Sequence, residues 1–132
     1  MKRLVGVALV VVGLGLVPAA LATGVLSGSY QEKITNDPAL HGALNATWKI
    51  TFIPGHYKVY RNGKFFGEGK DKFPAPHRIT FLTGVKCSSP GSYKYVRGGP
   101  ELGPNGLGFS KISDACVGRR DVLTHGPFHK VS

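Results

Sequence analysis

The chain is short of the residues that most chemistry needs. Among 132 residues there are two cysteines, one methionine, one tryptophan and seven acids, set against seventeen lysines and arginines. Two cysteines cannot build a tetrathiolate metal centre or a densely cross-linked scaffold. The acids Asp114 and Asp121, which flank the pair Arg119-Arg120, serve more simply in ion pairing than in acid–base catalysis. Nowhere does an apolar period of 3.6 persist for three turns, which excludes a helical bundle. No Ser–His–Asp spacing and no phosphate loop occurs. The five histidines show no paired spacing with either cysteine. His125 and His129 stand four apart, but the Gly126-Pro127 between them breaks the helix that would set both on one face. No catalytic residue, cofactor or metal site follows from the sequence.

Long apolar runs are missing too, with one exception at the start. Lys2 and Arg3 precede an apolar stretch from Leu4 to Val17, then Pro18, then Ala20-Leu21-Ala22. This is the tripartite form of a cleaved export signal, and fourteen apolar residues before a proline fall short of the roughly 20 that span a bilayer. The expected organisation is a signal peptide over 1–22 and one domain over 23–132, with no membrane span once the signal is removed. The protein is then secreted or periplasmic. The formal charge of +10 falls to +8 with the loss of Lys2 and Arg3. The remaining bases are spread singly along the chain, apart from Arg119-Arg120, and no recognised binding motif accompanies them. Dedicated nucleic-acid binding is therefore not expected. In an exported chain, two thiols are most simply one disulfide, Cys87–Cys116, rather than a nucleophile or a metal ligand.

What the chain does have is glycine (19), proline (9) and short runs of Tyr, Phe, Ile, Val and Thr. Residues 47–52 alternate cleanly, with Trp48, Ile50 and Phe52 on one face. Asn62-Gly63 is a type I′ hairpin signal joining 57–61 to 64–70, whose glycines suggest a bulge or a corner. With 29–35, 77–82, 91–97, 106–112 and 119–125, about eight strands are predicted, and 128–132 adds a short edge. Asp37-Pro38 opens one short helical turn near the N-terminus. The fold class is all-β, a sandwich or barrel.

The series "LNATWKITFIPGHYKVYRNGKFFGEG", "ITF", a cysteine, "GSYKY" and "LGFSKISDACVGRR" resembles small secreted bacterial lipocalin-like (calycin) proteins over Tyr30 to Leu123. The resemblance implies a single closed antiparallel meander barrel that holds a small apolar molecule or another protein. It also implies that an arginine near the chain's end, Arg119, lies across the early tryptophan, Trp48, and plugs one end. Its free donors would then serve carbonyls of residues 38–44, and Arg120 would face solvent. Eight strands enclose room for side chains or for one small ligand.

Candidate ligand-binding residues are Trp48, Tyr57, Phe66, Tyr93, Tyr95 and Phe109, each alternating with polar neighbours. Cys87, Cys116 and Arg119 are structural candidates. The same aromatics can instead fill the barrel as its core. Two functions stay open: a monomeric carrier of a small hydrophobic ligand, or a module with a solid barrel that engages an extracellular protein through its loops.

Overall fold

A computed structural model describes residues 25–38 and 40–132, and the expected signal peptide lies outside these residues. Eight antiparallel strands run in sequence order around a closed barrel: β1 (Gly28–Ile34), β2 (Ala46–Ile53), β3 (His56–Arg61), β4 (Lys64–Lys72), β5 (Arg78–Phe81), β6 (Gly91–Arg97), β7 (Gly106–Asp114) and β8 (Phe128–Lys130). β8 pairs with both β7 and β1, so the sheet has no free edge to recruit another strand.

Period-two alternation puts one face of β2, β3 and β6 inside. Trp48, Ile50 and Phe52 are buried on β2, as are Tyr57 and Val59 on β3 and Tyr93 and Tyr95 on β6. The hairpin β3–β4 turns through Asn62 (φ 51°) and Gly63 (φ 82°), the two left-handed residues that a type I′ turn requires. A register shift opposite Val59 and Tyr60 leaves Phe66 as the extra residue of β4, the bulge that its glycines suggested. Gly69 admits a close approach here. A Cβ at that position would run into the Thr83 carbonyl, so only glycine lets the chain after β5 pack along β4.

Among the described residues one helix, α1 (Val117–Thr124), lies between β7 and β8. Two expectations are corrected by it. Residues 38 and 40–44 form turns, held by the Asp37 carboxylate accepting from the Leu40 and Leu44 amides, so among the described residues the helix is near the C-terminus and not the N-terminus. Residues 119–125, read as a strand, belong largely to α1. Val122 and Leu123 are adjacent and both buried, which a helix lying on a core achieves and a strand with one inward face does not. The final short segment, expected as an edge, is the strand that closes the barrel.

Strand direction alternates all round, so β7 delivers α1 to the end that also holds Ile34, Ala46, Arg61 and Gly91. Cys87, in the connection after β5, and Cys116, the residue before α1, form a disulfide with Cα atoms 5.9 Å apart. The bridge anchors the start of the helix rather than the start of the last strand. Closing a loop with a sequence separation of 29 stabilises the fold by roughly 3–4 kcal/mol in the chain-entropy model.

Candidate functional site

The barrel end beneath α1 is organised around Trp48. Its indole N–H donates to the Leu44 carbonyl at 2.8 Å, and its ring meets the Phe66 ring edge-on at 5.2 Å. The Arg61 guanidinium lies over the indole, 5.1 Å from the centroid, and Arg61 Nη2 donates to the Ala43 carbonyl at 2.8 Å. Arginine over tryptophan, with a donor spent on a carbonyl of residues 38–44, is the arrangement expected of Arg119. Arg61 fills it because the β2–β3 register sets it directly opposite Trp48.

Arg119 sits deeper and faces other partners. From the first turn of α1 it reaches back to Asp114, with Nε to Oδ2 at 2.8 Å and Nη2 to Oδ1 at 2.7 Å. Nη2 also donates to the Ser89 carbonyl at 2.8 Å. Asp114 accepts in addition from the Tyr93 hydroxyl and the Cys116 amide. Burial alone would raise the Asp114 carboxyl, but the Arg119, Tyr93 and Cys116 donors outweigh it and hold the group below the usual carboxylate range. Burial likewise pushes the Tyr93 hydroxyl up, reinforced by its bond to Asp114. Arg120 is partly exposed and lies 3.6 Å from Asp121.

Between Trp48 and Arg119 lies a cavity of about 280 Å³. Leu44, Ile50, Val59, Val85, Val122 and Leu123 form much of its wall, with the disulfide along one side. Of the six aromatic candidates, Trp48, Tyr57 and Phe66 line it. Tyr93 and Phe109 pack elsewhere in the interior, with Phe81 5.9 Å from Tyr93 and Phe128 5.8 Å from Phe109. Tyr95 packs against Phe73 at 6.1 Å and His77 at 5.8 Å. The aromatic set therefore divides into three residues on the cavity wall and three in the solid core.

Sequence reasoning missed Leu44, Val85, Val122 and Leu123. The last two carried a signal, an adjacent apolar pair that a strand cannot bury on one side. Leu44 and Val85 lie in connections, where no periodicity marks them.

Two buried acids stand apart from this network. Glu32, facing inward from β1, makes no well-formed hydrogen bond through either oxygen among the described residues; the Gly126 amide lies nearby and His125 Nδ1 approaches to 3.7 Å. Burial raises its carboxyl to about 8, opposed weakly by the Gly126 amide. Asp71 on β4 also lacks partners, and burial raises it to about 6 against the pull of His56. Among the described residues, no group of three or more His, Cys, Asp or Glu side chains is arranged to hold a metal, and no helix is long and apolar enough to cross a membrane. No protein family, curated protein or solved structure was found to match the chain.

Proposed function

We propose that this protein is an exported, non-enzymatic carrier of lipocalin-like type that holds a small apolar molecule under α1. The cavity carries the reading. A site of roughly 150 Å³ lined by aliphatic and aromatic side chains suffices for benzene, and this one is nearly twice that size with walls of the same kind. A barrel closed at its seam, a helix over one end and a disulfide fixing that helix give such a cavity a rigid frame, which limits the ordering cost of binding. The disulfide also suits an oxidising compartment, in keeping with the export signal read in residues 1–22.

The alternative, a module that binds a protein through its loops, calls for an apolar patch on those loops. The large apolar residues most exposed among those described are Phe65, Val96 and Val131, two of them on strands and one at the chain's end. That distribution favours the carrier.

Native mass spectrometry of protein recovered from its own cells tests the proposal, together with calorimetric titration of naphthalene. A retained small-molecule mass or saturable one-to-one binding is expected. Neither a retained mass nor any heat of binding would overturn the reading.

A further inference from the structure

The cavity wall has one polar feature that its apolar lining does not explain. A guanidinium carries five N–H donors. In Arg119 the Nε donor and both Nη2 donors are engaged, by Asp114 and the Ser89 carbonyl. Nη1, with the remaining two, has no partner among the described residues, although the side chain is only 8% exposed. Buried donors on a charged group are almost always satisfied, because leaving one unmade costs more than a typical hydrogen bond gains. Arg119 lines the cavity; on the same wall the Tyr57 hydroxyl, which donates to the Thr83 carbonyl at 3.1 Å, also faces the Arg119 guanidinium, yet even as an acceptor it could take only one of the two Nη1 donors. We infer that the cavity's ligand carries an uncharged hydrogen-bond acceptor, a ketone, ester or amide carbonyl, seated on Arg119 Nη1, with its apolar body against Trp48 and Phe66.

The acceptor is uncharged because Asp114 already neutralises this arginine through two parallel contacts. A carboxylate at Nη1 would place a second anion against one guanidinium between apolar walls, where an unpaired charge is strongly disfavoured. An acid has a better place at the rim. There Lys86, which also lines the cavity, is exposed and holds its ammonium 5.0 Å from the Phe66 ring centroid. The two locations separate the two ligand chemistries.

This inference rests on the carrier reading, and one set of probes tells the two apart. Acetylnaphthalene, ethylnaphthalene and naphthoate, matched in substitution pattern, are titrated calorimetrically into the wild-type protein. The ketone is expected to bind about ten- to hundredfold more tightly than the hydrocarbon, the increment of a hydrogen bond to a charged donor. The carbonyl stretch of bound acetylnaphthalene is expected below its position in hexane. In the uncharged double variant Asp114→Asn/Arg119→Met, the ketone's advantage is expected to vanish while ethylnaphthalene still binds. Should that variant fail to fold, the infrared band of the wild-type complex decides alone. Equal affinities for ketone and hydrocarbon, or an unshifted carbonyl band, would overturn the acceptor and leave the apolar carrier standing. Tightest binding by naphthoate would also overturn it, placing the head group at the rim. Binding by none of the three would overturn both readings.

Discussion

Asp114 grips Arg119 from five residues upstream, across the junction between β7 and α1, with both carboxylate oxygens on two adjacent nitrogens of one guanidinium. The pair fixes the angle at which the helix leaves the sheet, and Ser89 and Tyr93 tie it to β6 and the segment just before it. Removing one partner strands the other in the interior. Arg119→Met is expected to lower stability by about 3–5 kcal/mol, whereas Asp114→Asn/Arg119→Met should recover much of that loss, as replacements of buried pairs by neutral groups commonly do. Urea unfolding of the three proteins measures both. If the single variant is no less stable than the double, the two groups are not coupled.

Glu32 gives stability an unusual pH dependence. Its native carboxyl is raised to about 8 from an ordinary 4.5 because burial outweighs the opposing pull of the Gly126 amide. Between those values the folded protein keeps a proton that the unfolded chain has lost. Stability therefore falls as pH rises through that window, by a total on the order of a few kcal/mol. Asp71, raised to about 6, acts in the same direction over a narrower span. Asp114 acts oppositely, since its lowered carboxyl stabilises the fold above the ordinary aspartate range and loses that effect as pH falls through its native value. The expected result is a maximum in mildly acid solution. Glu32→Gln should flatten the descent between about pH 5 and pH 9, read from urea midpoints across that range. An equally steep descent in the variant would assign the titration to another group.

Much of the barrel was legible because period-two burial is a local signal. Trp48, Ile50 and Phe52 declare their strand within six residues, and Asn62-Gly63 declares its hairpin in two. Cys87–Cys116 followed from having two thiols in a chain read as exported. The lost detail is non-local. Residues 119–125 carry Val122 and Leu123, which suit a strand by composition; what makes them helix is the barrel end they cover. The choice between Arg61 and Arg119 as the partner of Trp48 depends on β2–β3 register, which a one-residue slip would change. Arg61→Ala is therefore expected to shift Trp48 emission and to cost about 1–2 kcal/mol through the lost cation–π contact and carbonyl bonds. Arg120→Ala should do neither. Emission unchanged in Arg61→Ala would remove the contact from the account.

Gly118 separates folding from binding. It is the second residue of α1 and lines the cavity, and a Cβ built on it meets no atom within 4 Å beyond its two chain neighbours and the helix's own backbone. Its backbone is not in the left-handed region, so nothing local demands glycine there. Glycine in a helix is unfavourable relative to alanine by up to about 1 kcal/mol, less near the first turn, and replacing it also reduces the freedom of the unfolded chain. Gly118→Ala is accordingly expected to stabilise the protein by a few tenths to about 1 kcal/mol, seen as a higher urea midpoint. A larger side chain at the same position enters the space that the carrier reading assigns to the ligand. Gly118→Leu should fold with stability close to that of the parent, since the added atoms meet apolar walls, yet bind naphthalene at least tenfold more weakly. A Gly118→Leu protein that remains folded and binds naphthalene as the parent does would move the ligand out of this cavity.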